Sequence, residues 1–113
     1  MVSDNLPLVA TNAAKIFYAL GDPTRRQLFE LLLKRPSAVV DLAERLPVSR
    51  PAVSQHLKVL SDAGLVVARQ KGTRRFYQVD PKAMQVMREY LDRVWDQALV
   101  SFKKFAEIEE KKH

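Results

Sequence analysis

The sequence contains no cysteine, and that one absence removes disulfides, thiolate metal ligands, redox-sensing thiols and cysteine nucleophiles together. A reducing cytoplasm suits such a chain. No apolar stretch approaches the roughly 20 residues that a membrane span needs, and no basic segment followed by an apolar block opens the sequence, so neither membrane insertion nor export is expected. No stretch repeats at the 20 to 50 residue periods of solenoids, and there is no low-complexity segment. A Gly-rich phosphate loop is missing as well. No nucleophile stands beside a base in a recognisable pattern, and an enzyme is not expected.

What the chain does have is positive charge. Nineteen Lys and Arg against 13 Asp and Glu give a formal +6, which points to a polyanionic partner if the cations gather on one face. At 113 residues the chain is long enough for one domain with its own core, expected to span residues 1–113.

Gly and Pro divide the chain into six elements. Val9, Ala13, Ile16, Phe17 and Leu20 recur at helical spacing and predict a first helix over residues 8–20 that stops at Gly21. Asp22 and Pro23 form a cap-and-first-turn pair, because a carboxylate accepts unpaired amides and proline has no amide to waste. They open a second helix, 23–34, with Leu28, Leu31 and Leu32 as core and Pro36 forbidding continuation. Val40, Ala43 and Leu46 space a short third helix. Ser49 caps the next, Pro51 lies in its first turn, and Val53, Leu57 and Leu60 make its buried stripe before Gly64 ends it.

Beyond Gly64 the period changes from helix to strand. Residues 65–70 and 74–79 are rich in β-branched and aromatic residues, with Lys71 and Gly72 at the reversal, and predict a β-hairpin. Asp80 and Pro81 open a last helix, over about 81–106, striped by Met84, Met87, Leu91, Val94, Trp95, Ala98, Phe102 and Phe105; Glu107 to His113 is expected to fray.

Two short helices joined by a tight turn and followed directly by a hairpin make a winged helix-turn-helix: mainly α, with a β-hairpin wing, the helix-turn-helix at about 40–63 and the wing at about 65–79. With Val53, Leu57 and Leu60 turned inward, the opposite face of their helix carries Pro51, Gln55 and Lys58, flanked by Arg50 and Ser54. Arg50 and Gln55 have the bidentate geometry that reads guanine and adenine edges, Ser54 serves base or phosphate, and Lys58 reads charge. Arg69, Lys71, Arg74 and Arg75 place four cations within seven residues, a density that a merely solvated hairpin tip does not need. Such a wing anchors phosphates without reading sequence. Double-stranded DNA is therefore the expected partner.

The stretches ALGDPTRRQLFELLL and LAERLPVSRPAVSQHLKVLSDAGLV, followed by the wing GTRRFYQVDP, together resemble the ArsR family of bacterial winged-helix regulators over about residues 13–100. That resemblance implies a repressor acting as a homodimer on a palindromic operator. The first and last helices would pack across the two-fold axis. Its DNA contacts would come from Ser49, Arg50, Pro51, Ser54 and Gln55, with Arg74 and its neighbours in the wing. Ile16, Leu91, Trp95 and Phe102 are the expected interface residues, and the physical reading supports a dimer independently, since a domain this small cannot cover so wide an apolar face alone.

The chain departs from the metal-sensing members of that family. It lacks cysteine pairs before the recognition helix and histidine on the last helix, and Glu89, Asp92 and Asp96 are interspersed with Arg88 and Arg93, which reads as a salt-bridged exposed face. No metal and no cofactor are expected. His56 flanks the buried stripe and reads as a structural histidine more readily than a phosphate ligand. Phe76 and Tyr77 read as core-facing strand residues. An effector, whether small molecule near Trp95 or protein, is left open by the sequence. A winged-helix module that docks protein is the rival reading, separable by its need for an apolar wing in place of a basic one; structure-selective RNA binding is a third.

Overall fold

Proline and acidic or hydroxyl caps set the starts of three of the described helices. The computed structural model describes residues 5–111, with side chains from residue 12 onward, in the order α1 (Asn5–Leu20), α2 (Pro23–Lys34), α3 (Val39–Arg45), α4 (Arg50–Asp62), β1 (Val66–Lys71), β2 (Arg74–Val79) and α5 (Pro81–Lys111). Val9 and His113 lie outside the residues whose side chains are described. Asp22 caps α2 by accepting from the amides of Thr24 and Arg25, each at 3.0 Å, and Ser49 caps α4 by accepting from the Ala52 amide at 3.3 Å. Both are the caps the sequence predicts.

Four boundaries differ from expectation, the first being α1, which starts at Asn5, three residues before the apolar spacing predicts. α3 is placed one residue earlier and seals the core with Leu42, while Val40, Ala43 and Leu46 are only partly buried. The hairpin turns through Gly72 and Thr73, between the paired Lys71 and Arg74, with Gly72 at φ +64°. α5 does not fray after 106 but runs on to Lys111, because residues 82–111 contain neither Gly nor Pro and end in strong helix formers.

The core lies where α1, α2, α4 and the hairpin base meet. Ile16, Leu28, Leu42, Val53, Leu57, Leu60, Leu65 and Val66 are essentially inaccessible to water. Hydrogen bonds from Leu65 N to Leu60 O and from Asp80 N to Leu65 O, both 2.9 Å, fix the hairpin to the end of α4 and the start of α5. A backbone bridge then ties β2 to the entry of α3, with Ser37 N to Tyr77 O at 3.0 Å and Tyr77 N to Ser37 O at 2.9 Å.

Only the first turns of α5 join this core, through Ala83, Met84, Val86 and Met87. A helix of 31 residues reaches about 46 Å, so its distal half leaves the body of the protomer. The radius of gyration is accordingly 19.2 Å, against about 13 Å for a compact chain of this length.

Candidate nucleic-acid interface

α4 is held by its inner stripe and open on the other side. Val53, Leu57 and Leu60 are fully buried, whereas Arg50, Pro51, Ser54, Gln55 and Lys58 are all exposed. The Ser49 hydroxyl is spent partly on the helix: its oxygen accepts from Ala52, leaving its proton for an outside acceptor. One acidic residue, which falls outside the stripe that the apolar spacing defines, shares the outer face. Asp62 lies one turn beyond Lys58 and takes its ammonium at 3.2 Å, with both side chains largely exposed.

The wing cations are exposed but not equivalent. The register pairs Lys71 with Arg74, Gln70 with Arg75 and Arg69 with Phe76. Because side chains alternate across a strand, Arg69, Lys71 and Arg74 share one face of the ribbon and Arg75 lies on the other. The same alternation corrects the expectation for the two aromatics. Tyr77 packs toward the core, while Phe76 faces away from it and lies beneath the Arg74 guanidinium, 5.4 Å from the ring centroid; adjacent strand residues cannot both point inward.

Nor is the basic tip free of acidic neighbours. Arg74 Nη2 sits 3.3 Å from Asp41 Oδ2, a carboxylate from α3 that is 33 residues away in the chain. The sequence shows four unopposed cations because the opposing carboxylate arrives through the tertiary structure.

The residues expected at a two-fold interface divide in the same way. Leu91, Trp95 and Phe102 stand exposed at 53%, 66% and 69% on α5, and Val94, Leu99, Phe105 and Ile108 extend the same apolar surface, whereas Val100 is exposed on the opposite side of the helix. Ile16 does not join them. It is 2% exposed in the protomer core, where α1 packs against α2, α4 and α5, so it has no surface left to offer a partner; Phe17 and Tyr18 are the exposed large apolar residues among those described on that helix. Glu89, Asp92 and Asp96 are exposed, yet among the described residues no ion pair joins them to Arg88 or Arg93. Glu89 accepts instead from Gln85 Nε2 at 3.2 Å, and Arg93 stacks on Tyr90. Among the described residues, no three His, Cys, Asp or Glu side chains come together as a metal site, and no helix is long and apolar enough to cross a membrane.

His56 is half-buried beside Leu57, and its charge acts on Asp22. The Asp22 carboxyl is held below its usual range chiefly by the Arg25 amide, against the opposing cost of desolvation, which is the next largest effect, with the charges of Arg25 and His56 and the Thr24 amide adding to the lowering.

The family model described as "Bacterial regulatory protein, arsR family" matches residues 22–67, which run from the α2 cap into the first wing strand. HTH-type transcriptional regulator Rv2034 of Mycobacterium tuberculosis is 50% identical over 95 residues, covering 84% of this chain and 89% of that protein. The chain belongs to the arsR family. Its fold follows suit: an ArsR-like transcriptional regulator from Rhodococcus superposes with a TM-score of 0.75 at 32% identity, over 86% of this chain and 94% of that one. The homodimeric winged helix-turn-helix DNA-binding domain of Mb0332 from Mycobacterium bovis superposes at 0.68, with 27% identity, over 87% and 91% of the two chains. Other relatives include named repressors and one named activator. This arsR-family chain is thus a winged helix-turn-helix transcriptional regulator.

Proposed function

We propose that this regulator is a repressor that binds a palindromic operator as a homodimer, with α4 entering the major groove and the β1–β2 tip resting on the flanking backbone. The observation that carries this reading is the two-sidedness of α4: three fully buried apolar residues opposite an exposed row of Pro51, Gln55 and Lys58, with Arg50 and Ser54 beside it. Arg50 and Gln55 would read base edges. Ser49, Ser54 and the open amides at the α4 N-terminus would take phosphate. Arg69, Lys71, Arg74 and Arg75 would add affinity without sequence preference.

The dimer would form through α5, with Leu91, Trp95 and Phe102 at its centre and the exposed Phe17 and Tyr18 of α1 alongside. The support is physical. A face of seven large apolar residues on α5, each exposed at 39% or more, exceeds what a soluble monomer usually leaves uncovered. A two-fold axis would set the two α4 helices to half-sites about 34 Å apart, one turn of duplex. Repression would follow from occupancy, since a dimer seated over a promoter denies that surface to polymerase. The cytoplasm is the compartment in which such a protein meets its DNA.

A competition gel shift tests this, with DNA from upstream of the protein's own gene against a scrambled duplex at about 150 mM salt, where binding by charge alone is suppressed. A preference of roughly 1,000-fold or more is expected. Equal, salt-sensitive binding would reduce the protein to a basic module, and no binding at all would favour a protein-docking winged helix.

A further inference from the structure

The Asp41–Arg74 pair is a wing restraint, and we propose that Asp41 is a specificity-determining residue: by holding the Arg74 guanidinium it keeps that cation from gripping any duplex indiscriminately. This rests on the DNA-reading assignment made above.

The pair is a product of backbone geometry. The two-way bridge between Ser37 and Tyr77 pins β2 beside the entry to α3. Four residues on from Ser37, in the first turn of α3, stands Asp41; three residues back from Tyr77, at the start of β2, stands Arg74. The fold therefore delivers the carboxylate to the guanidinium at 3.3 Å. Phe76 supports the guanidinium from its own strand at 5.4 Å. Both charged side chains are about half exposed, at 54% and 48%, so phosphate oxygens can reach Arg74 and compete with Asp41 for it.

Two consequences follow from the chemistry. A guanidinium already paired gains less from an arbitrary phosphate than a free one does, because the phosphate must displace a carboxylate. A phosphate presented in the register that α4 dictates meets a side chain already aimed. The restraint therefore taxes non-specific duplexes more than the operator. Lys58 and Asp62 repeat the pattern on α4 itself at 3.2 Å, so two of the cations on the proposed DNA face carry their own counter-charge.

The test uses the full-length protein and two duplexes: one enriched by the parent protein from a random-sequence pool, and a scrambled duplex of equal composition. Asp41→Asn keeps the side-chain shape and removes the charge. It is expected to raise affinity for the scrambled duplex severalfold, to steepen its salt dependence by up to about one unit in the log–log slope, since about one more phosphate is engaged, and to change the enriched duplex less. The ratio of the two affinities falls. In the Arg74→Ala background the same substitution is expected to change neither affinity by more than about twofold. An equal rise for both duplexes, or a rise that persists without Arg74, would show Asp41 acting only as a through-space charge and would overturn the proposal. A parent protein that enriches no sequence would overturn the DNA-reading assignment, and the restraint with it.

Discussion

Arg25 donates from Nε to the carbonyl oxygen of Ala19 at 2.7 Å, so the second helix caps the first. Its Nη2 adds a bond to Tyr18 O at 3.3 Å, and Arg26 Nε reaches Leu20 O at 3.2 Å. The last carbonyls of α1 have no partner within the helix; Arg25 and Arg26 from α2 take those of Ala19 and Leu20, and Tyr18 O is shared between Arg25 and the Gly21 amide at 3.1 Å. Gly21 makes room for this turn, since a Cβ there would stand 3.2 Å from Tyr18 O and 3.3 Å from Phe17 O. The Gly-Asp-Pro-Thr-Arg-Arg run is therefore one interlocked corner, in which Asp22 caps the start of α2 while Arg25 and Arg26 close the end of α1.

The pH dependence of this corner has a definite sign. The folded Asp22 carboxyl titrates below its usual range, chiefly through the Arg25 amide, so its contribution to stability is complete above the unfolded value of about 3.9. It is lost as the pH falls from there through the folded value. Asp22→Asn is expected to flatten the acid limb of the unfolding curve in that window and to leave the profile near neutrality parallel to the parent, as followed by circular dichroism.

Base reading and backbone anchoring should separate in binding. Gln55→Ala is expected to relax base preference at one position of each half-site and to cost about 1–3 kcal/mol on the operator, with little change on scrambled DNA. Lys71→Ala should weaken both duplexes alike and reduce the salt slope by about one unit. Salt titrations of the two variants check both outcomes; parent-like binding by both would mean that the contacts are misassigned.

Oligomeric state should depend on residues that the protomer does not need. Trp95 and Phe102 are 66% and 69% exposed, so replacing both with Glu is expected to leave the helical content intact while shifting the sedimentation coefficient to that of a monomer. Operator affinity should fall at least 100-fold with the loss of the second half-site, through the lost avidity of a joined pair.

Ile16 should behave oppositely. Its side chain is enclosed in the protomer core, and Ile16→Ala is expected to cost about 2–5 kcal/mol of stability. Chemical denaturation at several protein concentrations distinguishes this from an interface effect, because a lost core contact does not disappear on raising the concentration.

Gly64 joins α4 to the wing at φ +80°, with open space where a Cβ would stand. The cost of replacing it is therefore conformational alone. Gly64→Ala is expected to destabilise by roughly 1–2 kcal/mol, and Gly64→Asn by less, since Asn tolerates this backbone region. Thermal unfolding of the pair measures the difference.

Local chemistry determined most of the secondary structure of this chain. The caps at Asp22 and Ser49, the prolines at 23, 51 and 81 and the stripe of Val53, Leu57 and Leu60 each act within a turn or two of their own position, so the two central helices and the outward row on α4 are legible in the sequence. Nothing in that local signal carries the relation between residues far apart in the chain. Ile16 and Trp95 both belong to apolar stripes at helical spacing; only the packing of α1 against three other helices buries the first, and only the reach of α5 past the core strands the second. The neutralising partner of Arg74 was hidden for the same reason: a backbone bridge between Ser37 and Tyr77 brings Asp41 to it, and such a bridge is a property of the folded chain.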